Sequence, residues 1–339
     1  MDRRRFTVLS SGAAAAAATG ACGGRDEPRW DASAVAKKPR SAVAVLATSD
    51  YDGPLVDLVT RGVQACGVDV TGRSVLLKPN FVEFDPDGVI NTHPLVLHAA
   101  AEAFRRLGAR TVVVGEGAGH RRDGEYLIRE TGIGAVLRDA GVPFVDLNID
   151  SVSRVRVPSS YTKLGELYLP DALLSADLVV SMPKLKTHHW AGVTLSLKNM
   201  FGIMPGAVYG WPKNVLHREG IGHSILDINA ALTAKPRFAI VDGIVGMEGN
   251  GPIQGEPRHS GVLVFGEDPV AVDSTCCRLM GVEPARVGYL NEASRFLGNL
   301  DEASIDQRGE DPGPFSQPYH LLEGFGDLRA DPSSEAAGS

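Results

Sequence analysis

Short apolar runs rich in β-branched residues alternate with longer amphipathic stretches along this chain. That alternation restricts the fold more than any other feature. Residues 41–46, 74–77, 111–114 and 144–147 have the length and content of strands, whereas 55–66, 94–107 and 125–140 repeat apolar side chains at helical spacing. Strands separated by helices pair in parallel, because each helix returns the chain to the edge where the previous strand began. Gly108 supplies a helix stop directly before the run at 111–114. A second set follows, with strands expected at 178–181, 238–241 and 261–264 and helices at 222–232 and from Asp268 and Pro284. Residues 154–157 and 167–169 read as an antiparallel insert. The expected fold class is α/β, with mainly parallel sheets flanked by helices, two-lobed, and with a cleft at the strand ends.

The same reading divides the chain into a leader at residues 1–25, a linker at 26–40, a domain at 41–310 with lobes 41–150 and 151–310, and a partly disordered tail at 311–339. The leader is set apart by Arg3-Arg4-Arg5-Phe6 before an alanine-rich stretch, which resembles a twin-arginine export signal. Thr19-Gly20-Ala21-Cys22 leaves two processing outcomes open, cleavage before a lipidated Cys22 or ordinary cleavage after a small residue. The expected location is the periplasm or cell envelope, reached through the twin-arginine machinery, with a lipid anchor at Cys22 as one outcome. That route carries folded proteins, often with a cofactor already inserted, so it raises the expectation of a bound cofactor.

Bulk properties then exclude several function classes. A formal net charge of -7, without a basic patch interleaved with aromatics, gives no general attraction for nucleic acid. After the leader, no apolar run approaches the roughly 20 residues that span a bilayer. Four cysteines occur, none in a Cys-x-x-Cys pair, so neither a cysteine-only iron–sulfur cluster nor a structural zinc site is written here. Cys276 and Cys277 fall in an expected helix, 270–280, and read as packed core thiols.

The chemistry concentrates where strands end. Pro183-Lys184-Leu185-Lys186-Thr187-His188-His189 follows the apolar run at 178–182, and on an extended chain Lys184, Lys186 and His188 share one face. Ser196, Lys198 and Asn199 follow within a few residues, before a glycine-bearing stretch at 200–206. Three lysines and two histidines so close together suit an anion and proton exchange with it. Lys78-Pro79-Asn80 also ends a strand, where proline interrupts pairing and presents its neighbours at the sheet edge. Thr92 and His93 precede Pro94 at a helix start, which suits either an anion or a cap.

Gly115-Glu116-Gly117-Ala118-Gly119-His120 lacks the Gly-x-Gly-x-x-Gly spacing, and Glu116 puts negative charge where phosphate would sit, so a nicotinamide dinucleotide is disfavoured. Glu116 and His120 read instead as an acid/base pair or as metal ligands. Asp242, Glu248 and Asn250 lie in a glycine-rich stretch read as a loop after the strand at 238–241. Asp242 and Glu248 would join His188 as metal ligands there. Asp268 reads as a helix cap and Asp273 as an inward-facing group.

Taken together, Lys78-Pro79-Asn80, Pro183-Lys184-Leu185-Lys186-Thr187-His188, Lys198-Asn199-Met200-Phe201-Gly202, Asp242-Gly243-Ile244, Gly246-Met247-Glu248-Gly249-Asn250-Gly251-Pro252 and Asp268-Pro269-Val270-Ala271-Val272-Asp273 resemble the domain of unknown function 362 family over residues 41–300. Some members of that family are described as iron–sulfur proteins, and this chain lacks their cysteines. A shorter segment, His188, Ala191, Gly192, Thr194, Lys198 and Pro205-Gly206, is similar to part of the nickel-pincer lactate racemase family. That likeness implies a metal or catalytic role for His188 and a substrate or cofactor contact for Lys198.

The functional expectation is an exported enzyme that acts on a small anionic molecule with a bound metal or metal-containing cofactor, by isomerase-like or redox chemistry. His188, Lys198, Lys184 and Lys186 are the expected catalytic residues, and Lys78, Asn80, Asn199 and Asn250 the substrate contacts. The alternative is a cell-envelope protein that captures an anion or metal without chemistry.

Overall fold

The computed structural model describes residues 28–119 and 123–330. The leader with Cys22, His120 and the last residues of the tail, 331–339, lie outside the described residues.

The chain opens with β1 (Ser41–Ala47), α1 (Leu55–Ala65), β2 (Ser74–Pro79), α2 (Pro94–Arg106) and β3 (Thr111–Glu116). It continues through α3 (Gly124–Glu130), α4 (Ile133–Asp139), β4 (Phe144–Asp146), the insert β5 (Val152–Arg156) and β6 (Glu166–Pro170), and α5 (Asp171–Ser175). The site-bearing stretch comprises β7 (Leu178–Met182), β8 (Lys184–His188), β9 (Gly192–Thr194), α6 (Ser196–Asn199), α7 (Gly206–Tyr209), α8 (Asn214–Arg218) and α9 (Ile221–Ala231). A long hairpin of β10 (Arg237–Asn250) and β11 (Gln254–Gly266) precedes α10 (Pro269–Leu279), α11 (Gly288–Ser294) and β12 (Ile305–Gly309).

One large sheet runs in the order β12-β1-β11-β10-β7-β2-β3-β4, with β8 and β9 branching from β10. It is mostly parallel; within it β11 runs antiparallel to β1 and β10, and β9 to β8. The protein is therefore α/β, with helices on both faces. Strand periodicity sorts the core between those faces: Ala44 and Leu46 pack with α1, α2 and α4, while Val43 and Val45 pack with α9, α10 and α11. The halves 41–150 and 151–310 share this sheet, since β1 lies between β11 and β12 and β2 between β7 and β3.

Three sequence expectations change. The helix read at 125–140 is two helices, α3 and α4, separated at Gly132, whose φ of 75° ends one and starts the next. The stretch read as a loop after 241 continues as strand to Asn250, because β11 pairs with it along its length, with a bulge between Gly243 and Val245. Its glycines permit close packing: a side chain at Gly246 would collide with the Tyr319 hydroxyl and the Leu185 carbonyl. The tail set apart from residue 311 packs on the fold as far as 330, with Tyr319 fully buried and its amide donating to the Met280 carbonyl.

α1 lies against β11 so closely that a Cβ at Gly62 would sit 2.6 Å from the Phe265 ring, itself fully buried. Alanine favours a helix interior over glycine by about 1 kcal/mol, whereas overpacking a rigid core costs about 1–3 kcal/mol. Gly62→Ala should therefore lower stability, measured as the urea midpoint; an unchanged or raised midpoint would show that Phe265 yields.

A candidate anion site at the strand ends

A cleft of about 250 Å³ opens beyond the C-terminal ends of β2 and β3, beside β8. This is where an open parallel sheet leaves backbone groups free for a ligand. Lys78, Asn80, Glu116, Lys186, His188, His189, Thr194, Lys198, Asn199, Lys213 and His217 supply its polar lining. Of the sequence-derived candidates, Lys78, Asn80, Lys186, His188, Lys198 and Asn199 are thus brought together.

The floor is a buried ion pair. Lys78 Nζ donates to Glu116 Oε2 at 2.7 Å, to the Pro79 carbonyl at 2.7 Å and to Asn199 Oδ1 at 3.1 Å. Those three bonds use all the donors of an ammonium. Glu116 also accepts from the amides of Phe81 and Gly117 at 2.9 Å each, so its carboxylate ties the loops after β2 and β3 together. Glu116 is therefore committed to the floor, and the acid/base pairing with His120 is not carried by the described residues.

The other lysines of the cleft have no carboxylate partner among the described residues. Lys186, fully buried, donates to the carbonyls of Ile90 at 2.9 Å and Pro252 at 3.2 Å. Lys213, also buried, donates to Asn148 Oδ1 and the Met204 carbonyl, from a backbone held at φ 67°. Lys198 Nζ lies 4.8 Å from the Phe201 ring centre and has no hydrogen-bond partner among the described residues. Burial and Lys78 bring Lys198 down to about 8, and burial brings Lys213 down to about 7. Lys186 is driven well below its ordinary value by burial and then by Lys198. Two further polar atoms, Asn80 Oδ1 and Thr194 Oγ1, are buried without a partner among the described residues.

His188 is fixed differently from the sequence expectation. Its Nδ1 accepts the amides of Trp190 at 3.0 Å and Ala191 at 3.2 Å. Burial, Lys198 and His189 hold the ring neutral. A neutral ring whose Nδ1 accepts carries its proton on Nε2. His188 therefore offers a donor, whereas metal-binding histidines donate from the nitrogen opposite the metal.

Residues 75–278, more than half of the chain, match the family described as a domain of unknown function, DUF362. The chain belongs to the DUF362 family. A thylakoid-associated protein of Synechocystis sp. is 28% identical over 257 residues, 74% of either chain. A crystal structure of a Thermotoga maritima protein overlaps 68% of this chain at 13% identity with a TM-score of 0.35, and the match spans 59% of that protein.

The DUF362 chain does not assemble the expected metal ligands. Asp242 is fully buried on β10, between β11 and β8, where Oδ2 accepts Lys184 Nζ at 2.7 Å and the His93 amide at 2.9 Å, and Oδ1 accepts Tyr51 OH at 3.1 Å. Glu248 accepts the His320 amide at 2.9 Å and faces Arg258. No group of three histidine, cysteine or acidic side chains suited to a metal occurs among the described residues. The lining of the cleft is cationic, so its donor set does not fit a metal held by side chains. Lys184 shares a face with Lys186, yet its charge is consumed by Asp242, which removes it from the expected catalytic set. Asn250 reaches Gln254 across the hairpin turn rather than the cleft. Thr92 clamps the Asn80 amide and the Met182 carbonyl, and His93 caps α2. Asp268 caps α10 as expected, and Asp273 faces inward, where it caps α6 through the amides of Ser196 and Leu197.

Lys213 and His217 were not singled out in the sequence. Each is isolated among residues with no local pattern, and only the return of the chain through α7 and α8 brings them to the cleft. No sequence signal marked them.

Removing one partner of a fully buried ion pair costs about 3–5 kcal/mol, because the other charge is stranded. Asp242→Ala should therefore destabilise the DUF362 chain by about that amount, with Lys184→Met in the same background restoring part of the loss. Urea denaturation of the single and double variants checks this. Additive losses would show that Lys184 and Asp242 are not coupled.

Proposed function

We propose that this protein is an enzyme that binds a small carboxylate- or phosphate-bearing molecule in the cleft and moves a proton on it. One observation carries the reading: Lys186, Lys198 and Lys213 converge on one cleft without a carboxylate partner among the described residues, and Lys198 lowers the proton affinity of Lys186, His188 and His217. An anion relieves that mutual repulsion, and its affinity draws on it. The orphan Thr194 hydroxyl and the His188 Nε2–H add neutral donors. Lys198, brought down to about 8 and with no hydrogen-bond partner among the described residues, is the acid–base group, whereas Lys213 is engaged by Asn148 and the Met204 carbonyl. Lys186 and Lys213 hold the anion, and Asn199 secures the floor beside Lys78.

The reaction moves a proton or isomerises the bound anion by these side chains, without a metal held by His188, Asp242 and Glu248. The work is done at a membrane-associated or envelope site after export by the twin-arginine route. Two features support this location: the thylakoid association named for the Synechocystis relative and the paired arginines of the leader. No helix among the described residues is long and apolar enough to cross a membrane.

The pH dependence has a definite sign. The folded value of Lys198 lies below its ordinary one, so this lysine weakens the ligand-free fold below about 8 and ceases to do so as pH rises toward the unfolded value. An anion binds the protonated forms, so its affinity is full only below about 7, begins to fall there as Lys213 releases its proton, and falls further above about 8 with Lys198. Calorimetric titration with acetate and with inorganic phosphate from pH 6 to about 10 should show this decline, with proton uptake on binding near pH 8. Lys198→Met should weaken binding and flatten the profile. A pH-independent affinity, or one that Lys198→Met leaves intact, would remove the proposal.

A further inference from the structure

Resting on that anion site, we propose that the ligand is an aromatic acid: one planar ring bearing the anionic group, with the ring seated at the cleft mouth. The cleft is graded from floor to rim. Lys78, Lys186 and Asn199 at the bottom are almost fully buried, whereas Trp190 at the rim is 64% exposed. A large aromatic side chain left in water beside a buried cationic floor is an unsatisfied apolar surface at the edge of the cleft.

The rim is built of ring faces and edges. The Trp190 indole stands edge-on to His189, with centres 4.7 Å apart, and to His217 at 5.8 Å. Phe201 meets His217 at 5.2 Å on the inner side, so a run of rings leads from solvent toward Lys198. Such surroundings favour a flat π system over a flexible chain, because stacked and edge-on geometries add to simple burial. Trp190 is held there by its own backbone, whose amide donates to His188 Nδ1, so the rim residue and the Nε2–H donor of His188 are set by one turn.

Size limits the ligand further. About 250 Å³ is below the roughly 300–1,000 Å³ usual for drug-sized molecules, which leaves room for a single ring and its acid group rather than a nucleotide.

The test compares matched probes by calorimetry at pH 7: benzoate against acetate, and phenyl phosphate against inorganic phosphate. Each aryl probe should bind at least about tenfold more tightly than its simple counterpart, the scale of one favourable aromatic pair without the apolar area of the ring. Trp190→Ala, an exposed position whose truncation leaves the core untouched, should erase most of that ratio and leave acetate and inorganic phosphate unchanged. Equal affinity for aryl and simple probes, or a ratio that survives Trp190→Ala, overturns the aromatic assignment while the anion site stands. Absence of binding by all four probes overturns both.

Discussion

The pairing of Lys78 with Glu116 is the constraint on which the site depends. A charge at 1–2% exposure persists only when paired and fully hydrogen-bonded, and here every donor of the ammonium is used. The carboxylate joins the ends of two neighbouring parallel strands through backbone amides on either side. It therefore sets the position of the floor and, equally, neutralises only one of the lysines above it. The close approach is enforced from a third direction: a Cβ at Gly202 would lie 2.5 Å from Glu116 Oε1 and 2.6 Å from Lys78 Nζ, so only glycine lets the chain after α6 lie over the pair.

Lys198 is placed by a second buried carboxylate, Asp273, reaching across from α10. α6 is a four-residue helix with Lys198 in its last turn, too short to be stable alone. The Asp273 side chain takes the amides of Ser196 and Leu197 and the Ser196 hydroxyl, which secures the start of that helix. Burial pushes Asp273 up to about 7, against those three hydrogen bonds, so the cap is an expensive one that packing of α10 holds in place. The floor and Lys198 are thus fixed by different elements.

How much of this was legible in the sequence depends on the range of the signal. Period-two strands and their intervening helices are local, and β1, β2, β3, β7, α1, α2, α9 and α10 fall close to where the pattern put them. The hairpin of β10 and β11 was underestimated because glycine reads as loop, while its role here is to admit Tyr319 and Leu185, residues far away in sequence. The period of two grouped Lys184 with Lys186 and His188. It could not show that the partner strand, whose register shifts between Asp242 and Met247, delivers a carboxylate to the first lysine and none to the second. Lys213 carries no pattern, and its position depends on a backbone conformation uncommon for a residue with a side chain.

The contrast between Lys184 and Lys186 also explains why one chain with a net charge of -7 contains a cationic cleft. Net charge describes the surface field, whereas the cleft is governed by which buried lysines find carboxylates within hydrogen-bond reach. Two of them, Lys78 and Lys184, do so at 2.7 Å. Among the described residues, Lys186 and Lys213 are held by neutral carbonyl and amide oxygens alone, and Lys198 by a ring alone. Neutral oxygens hold the ammonium groups in place but cannot offset their repulsion, so the protein gains by releasing protons or by admitting an anion. The first response gives Lys198 and Lys213 values near neutrality, and the second is the basis of the anion binding proposed above; both follow from the lack of a carboxylate partner among the described residues.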